Sequence, residues 1–350
     1  MRAAAWFAWE RRKPSASLAA SLTANLDTPC WPFNMQYFLR RLVYSLPILL
    51  GVAFLCFSLI FIAPGDPLVS VLPADASEQL RQQLIALYGF DKPFLTQFCS
   101  WLLRALQGDL GTSIATNRPV MPEVINAVVN SIRLALLATL LGFTAGALLG
   151  FLSGYFRNTF IDRIASIVSV FGVSIPHYWL GMVLVIVFSV FLNWLPATGA
   201  GDSGSGDWAW DWAHVKYMIL PAVTMSVIPM GIVARTVRAL VADILSNEFI
   251  VGLKARGLSL PAIFKHVVKN VAPTALSVMG LQLGYLLGGS ILIETVFSWP
   301  GTGFLLNSAI FQRDFPLLQG TILILAVFFV LLNLVVDTMQ TFLDPRIQRG

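Results

Sequence analysis

Long apolar runs dominate the chain, and short polar stretches separate them. A membrane span needs roughly 20 mostly apolar residues, and about six stretches meet that length: residues 42–63, 132–155, 164–192, 218–237, 274–293 and 317–339. The third carries Pro176, and the fourth carries Pro221 and Pro229. The pattern predicts an all-α, polytopic membrane protein.

Two of these stretches space glycine every four residues, which places it along nearly one face of a helix. Gly142, Gly146, Gly150 and Gly154 form one stripe, and Gly280, Gly284 and Gly288 form the other. Missing side chains let two helix backbones approach closely in lipid, so both stripes are expected to be helix-packing surfaces. Glycine is also simply common in membrane helices.

Composition agrees with the pattern. The chain is 57% hydrophobic and only 12% charged, against about 25% charged in soluble chains. The net charge of +5 does not point to nucleic acid, because the basic residues lie beside the apolar runs rather than in one cluster. Arg40 and Arg41, then Arg157 and Arg163, then Arg235, Arg238, Lys254, Arg256, Lys265 and Lys269, and finally Arg346 and Arg349 all fall on one side in a six-span count. The opposite side is acidic or mixed. The positive-inside rule therefore puts both termini, and the loop over about 238–270, in the cytoplasm. Residues 1–34 lack a signal-peptide pattern and read as an N-terminal extension outside the native protein, with the transmembrane domain expected over 35–350.

Much familiar chemistry is absent. No phosphate-binding G-x-x-x-x-G-K-[ST] loop occurs, so the chain is not expected to hydrolyse ATP. Cys30, Cys56 and Cys99 have no metal or redox spacing, and His177, His214 and His266 are scattered, so neither a metal site nor a cofactor is expected. Arg133, Arg235, Glu294 and Asp337 sit near span ends rather than mid-membrane, which argues against a self-powered ion-driven carrier. A channel and a membrane scaffold remain alternatives.

The informative polar segment follows the fourth stretch. Ser246 or Asn247 can cap a short helix, Gly257 suits the left-handed residue that ends it, and Ser259 with Pro261 can open a second helix. Phe249, Ile250, Leu253 and Phe264 are its apolar contacts. From the residues alone, a docking element and an amphipathic surface connector are equally good readings.

The segment resembles the cytoplasmic loop of ABC importer permeases. Glu248, Phe249, Ala255, Arg256, Gly257, Leu258 and Ser259 match the peptide/nickel branch, while Val251, Gly252 and Leu253 depart from it. Further motifs resemble the first permease of dipeptide, oligopeptide, glutathione or nickel importers: Pro64-Gly65-Asp66-Pro67, Gly108-Asp109-Leu110-Gly111-Thr112-Ser113, Trp194-Leu195-Pro196, Glu294 through the Trp299-Pro300-Gly301 turn to Gly303, Arg313-Asp314-Phe315-Pro316 and Asp344-Pro345-Arg346-Ile347. Asn130 stands where such permeases usually have proline.

The resemblance implies a type I-like permease bundle in a bacterial inner membrane. Its expected partners are a second homologous permease, two ABC ATPase subunits, a substrate-binding protein and membrane lipid, with a peptide-like substrate; glutathione and nickel are alternatives. It further implies that Glu248, Phe249, Gly252, Lys254, Ala255, Arg256, Gly257 and Leu258 form a coupling helix that docks on the ATPase. Glu294, Trp299, Pro300 and Gly301 are expected in an outer re-entrant or gate-like segment, with a plain loop anchored by an interfacial Trp299 as the alternative.

Overall fold

In hydrocarbon every backbone N–H and C=O must be satisfied within the chain, and a helix does this locally. A computed structural model describes residues 35–62, 77, 79, 82, 92–201, 208–288 and 291–343. Within them eleven α-helices follow one another: α1 (Met35–Ile62), α2 (Phe94–Leu106), α3 (Val120–Tyr155), α4 (Phe160–Ser174), α5 (His177–Leu184), α6 (Trp212–Ser246), α7 (Glu248–Ala255), α8 (Leu260–Gly288), α9 (Ile291–Val296), α10 (Thr302–Phe311) and α11 (Phe315–Leu343). A π-helical turn, Val185–Phe191, continues α5. The expected extension over 1–34 and the Pro64–Pro67 and Asp344–Ile347 motifs lie outside the described residues.

The chain divides into two units, Met1–Leu42 and Val43–Gly350. The first contributes the opening of α1. The second holds everything that follows.

Among the described residues, four helices are long and apolar enough to cross a bilayer: α1 over Arg40–Ser58, α3, α6, and α11 over Phe315–Thr338. The third sequence stretch is not one straight helix. Its halves, Phe160–Ser174 and His177–Phe191, meet at a bend of 102° and together make a fifth candidate span. Pro176 explains the break. Its ring disfavours helical backbone at the preceding residue, and Ile175 is extended, with φ −80° and ψ 132°. The remaining stretch, 274–293, begins inside α8 and includes residues outside the described set.

The helices outrun the stretches that predicted them. α3 starts at Val120 rather than near Ile132, and α6 continues past Val237 to Ser246. Bilayer thickness limits the apolar part of a helix, not its length, and the polar ends here find protein partners. Helix α2 has no counterpart among the predicted elements. Its Phe98 and Trp101 are buried against Ala53 and Phe57 of α1.

The centre of the bundle is the contact between α3 and α6. A Cβ added at Gly142, Gly146, Gly150 or Gly154 would lie 2.5–2.8 Å from the carbonyl oxygens of Ser226, Met230, Ala234 and Arg238 respectively. Both series advance by four residues in the same chain direction, so the helices run parallel with backbones almost touching. Gly231, on α6, meets α4 equally closely, 2.5 Å from the Ser169 carbonyl. The second stripe behaves differently. Gly284 has nothing nearer than Asn333 Oδ1 at 3.7 Å, Gly280 is half-buried, and the surroundings of Gly288 lie outside the described residues.

Candidate coupling and gating sites

The basic segment after α6 folds as a short helix held along one edge. Ile250 is fully buried among Val237, Val241, Ile263 and Val267, with Leu253 and Leu258 packed on the same cluster. Glu248, Phe249, Val251, Gly252, Lys254, Ala255 and Arg256 are exposed. A Cβ on Gly252 would meet nothing within 4 Å. Of the expected coupling residues, only Leu258 turns inward.

The end of α7 follows from one glycine. Gly257 has φ +75°; its N–H donates to the Lys254 carbonyl at 3.0 Å, and the Leu258 N–H donates to the Leu253 carbonyl at 3.2 Å. This is the paired-bond stop that satisfies the last carbonyls of a helix. The start differs from expectation. Asn247 holds the cap position, but its side chain makes no cap bond; its main-chain carbonyl accepts from the Ile250 N–H at 3.0 Å. Ser246 is still inside α6 and donates back to the Asp243 carbonyl at 2.7 Å. Phe249 and Phe264 are both exposed, and the Phe264 ring centre lies 4.9 Å from that of Phe151.

One ion pair, which the sequence did not single out, ties α6 to its neighbours near this helix. Arg238 Nε and Nη2 donate to the two oxygens of Asp162 at 2.7 and 2.9 Å. Asp162 is buried and also accepts from Ser153 Oγ at 2.6 Å and the Asn158 N–H at 2.9 Å. Two-pronged, charge-assisted bonds of this kind fix orientation as well as adding attraction. The available signal was a lone acid between Arg157 and Arg163, in an otherwise basic segment.

At the other end, the segment from Glu294 to Gly303 folds back over the start of α3. Glu294 and Trp299 are fully buried. The Glu294 carboxylate accepts from Ser131 Oγ and from the Gly303 N–H, both at 2.6 Å, while Thr302 N–H donates to Ser131 Oγ at 2.9 Å. Trp299 Nε1 donates to the Asn130 carbonyl at 3.1 Å, and Asn130 Nδ2 donates to the Pro300 carbonyl at 3.0 Å. Arg133 then donates to Asn130 Oδ1 at 3.0 Å and lies 4.4 Å from the Trp208 ring centre. Burial this complete removes the alternative in which Trp299 is an interfacial anchor. A Cβ on Gly301 would sit 2.5 Å from both Glu294 Cδ and Ser131 Oγ, so close approach demands glycine there. Asn130, the departure from proline, supplies a side-chain donor to Pro300 and a side-chain acceptor to Arg133, neither of which proline has.

A second buried carboxylate joins two of the quoted motifs. Asp314 accepts from Ser113 Oγ at 2.5 Å, the Ala115 N–H at 3.1 Å and the Leu317 N–H at 3.1 Å. Gly108 and Gly111 shape the loop that brings Ser113 there, with φ of +84° and +82°. Farther out, the His214 ring beside Asp211 holds that exposed carboxyl below its ordinary range. No group of three metal-capable side chains occurs among the described residues.

Comparison with known proteins identifies the family. Residues 146–349 match the family described as binding-protein-dependent transport system inner membrane component, and residues 34–135 match the N-terminal region of such components. The chain is 35% identical over 331 residues to the dipeptide transport system permease protein DppB of Alkalihalophilus pseudofirmus, covering 90% of this chain and 99% of that one. It is 37% identical over 319 residues to the glutathione transport system permease protein GsiC of Escherichia coli, again covering 90% and 99%. Among solved structures, a chain of the MetNI methionine ABC transporter shares the fold, with TM-score 0.52 and 16% identity over 64% of this chain and 97% of that one. The present chain is a transport subunit, and ATP hydrolysis belongs to separate ATPase subunits. The chain therefore belongs to the binding-protein-dependent inner membrane components, as a membrane-spanning permease of an ABC importer.

Proposed function

We propose that this permease moves short peptides inward, and that α7 is the lever through which the ATPases drive it. The observation that carries the lever is the one-edged seating of α7. Ile250 and Leu253 grip the bundle, while Glu248, Phe249, Gly252, Lys254 and Arg256 stand free for a partner. A surface connector has no need of a fully buried anchor between two helix stops. Only Asn247 separates α6 from α7, which gives a short route from the docking face to the bundle centre.

Support for the solute comes from the relatives. One is named for dipeptides and the other for glutathione, itself a short peptide. The distribution of basic segments supports a cytoplasmic position for α7 and both termini. A substrate-binding protein delivers solute from outside, and a second permease completes the path. In this reading the α8 face that carries Gly284 meets that second permease, and the Glu294–Gly303 segment gates the outer mouth. ATP binding draws the two α7 elements together, selecting one of two bundle states of similar energy.

The test is a reconstituted importer containing both permeases, the ATPases and the binding protein in proteoliposomes. ATP-dependent uptake of dialanine and of glutathione is measured beside ATP hydrolysis. Arg256→Glu and Gly257→Pro should each cut uptake at least ten-fold without loss of membrane insertion. Unchanged uptake in both variants would refute the lever. A Gly252→Cys thiol labelled by an impermeant reagent from the outer face would refute the orientation.

A further inference from the structure

The depth of helix α2 is set by what it packs on. Phe57 of α1 meets Phe94, Phe98 and Trp101 with ring centres 5.5–5.6 Å apart, and Ala53 and Leu323 join the same cluster. Ala53 and Phe57 stand nine and five residues before α1 ends at Ile62. Leu323 stands eight residues after α11 begins at Phe315. Those two helix ends lie on one side of the bundle, because Cys56 Sγ donates to the Gln319 carbonyl at 3.8 Å. At 1.5 Å per residue, the cluster is roughly 8–14 Å in from the helix ends. Ala53 and Phe57 also fall within the apolar span Arg40–Ser58. Helix α2 is thus seated at the depth of the apolar spans, not above them.

The rest of its surface divides into two sectors. At about 100° per residue, Leu95, Cys99, Leu103 and Leu106 share an arc of about 80°. All four are exposed, the leucines by 66, 59 and 76% respectively. Thr96, Ser100 and Arg104 fill the adjoining sector and are exposed too. The helix therefore carries one apolar face for α1, a second with no cover from the described chain, and a polar edge. A helix surrounded by water has no use for the second apolar face. A helix in the membrane interface needs it, with a polar, basic edge toward the headgroups.

We propose that α2 is a membrane-embedded lateral helix, and that its stripe of Leu95, Cys99, Leu103 and Leu106 faces the acyl chains of the surrounding bilayer. Continuity identifies lipid as the occupant: the neighbouring span α1 exposes Leu50, Leu55 and Phe61. Arg104 closes the polar edge, where a long apolar stem lets its guanidinium reach headgroup phosphates. The inference is independent of which solute the permease moves.

The stripe carries its own reporter, since Cys99 is exposed and Cys56 buried. In a Cys30→Ser background, Cys99 is labelled with a nitroxide and the chain is assembled with cysteine-free partner subunits in proteoliposomes. The comparison is Ser100→Cys with Cys99→Ser, one residue and about 100° away. Cys99→Ser with Ser100 intact gives the background from Cys56. Both labelled positions are exposed, so the label displaces no packed group. Power saturation then compares collisions with oxygen, which concentrates in acyl chains, and with a water-soluble nickel chelate. The oxygen-to-nickel ratio at position 99 should exceed that at position 100 at least five-fold, with frequent oxygen collisions. A smaller difference overturns the proposal. So does a position 99 shielded from both reagents, which would mean that the second permease or the binding protein covers the stripe.

Discussion

The two glycine stripes share one sequence pattern and meet different fates. On α3 every glycine lies against an α6 carbonyl at a distance that no Cβ tolerates. On α8, Gly284 faces open space apart from Asn333 Oδ1 at 3.7 Å. The α3 stripe is an internal seam, so its small residues are spent within the chain. On α8, Gly284 leaves room for a side chain, which is why that position is the one proposed to face the second permease. Four-residue glycine spacing thus specifies a surface able to receive a helix, not the molecule that supplies it.

The largest effect separates the stripes directly. Gly150→Leu should prevent α3 and α6 from closing, because Ala234 O would lie 2.5 Å from the first added carbon. Overpacking of a well-packed core costs about 1–3 kcal/mol, occasionally more, and a leucine against backbone belongs at the upper end. Detergent-solubilised protein should lose its monodisperse peak and become protease-sensitive. Gly284→Leu should leave the single chain folded by those measures yet abolish co-purification with the second permease. Equal damage to the isolated chain from both substitutions would erase the distinction between the stripes.

A smaller effect asks whether glycine alone holds the seam. Its last member, Gly154, faces Arg238, whose guanidinium grips Asp162. Arg238→Ala leaves a buried carboxylate without its cation and should destabilise by about 2 kcal/mol, less than removal of a fully buried partner because Arg238 is partly exposed. Asp162→Asn with Arg238→Ala should recover part of that loss. A thermal shift assay on single and double variants decides it, and strict additivity would mean the pair does not act together.

The smallest effect distinguishes glycines kept for closeness from one kept for its backbone angle. Gly257→Ala has open space around it but requires φ +75°, so it should cost about 1–2 kcal/mol, read as faster proteolysis near α7. Gly284→Ala, with ordinary contact distances and no unusual angle, should be neutral or slightly stabilising in the same assay.

Much of the fold was legible because lipid restricts the options to helices of bounded apolar length. The main departures arose where the bilayer argument does not apply. Pro176 was visible, but the 102° bend it permits depends on where α4 and α5 pack. Helix α2 lies outside the long apolar runs; its Phe94, Phe98, Trp101 and Ala105 spacing is an ordinary amphipathic signal overshadowed by stronger neighbours. The Gly257 stop was readable because it is local. The Asp162–Arg238, Ser131–Glu294 and Ser113–Asp314 bonds were not, since their partners stand 76, 163 and 201 residues apart.

By itself the sequence determined the membrane-spanning helical class, the glycine stop of α7 and the kinship with importer permeases. Each of these depends on composition or on neighbours within a few turns. Tertiary structure decided which stripe is consumed internally, which carboxylates are buried and bonded, and which edge of α7 is gripped. Those outcomes depend on distant segments meeting, and hydrophobic pattern constrains which faces are buried without naming the segment that covers them.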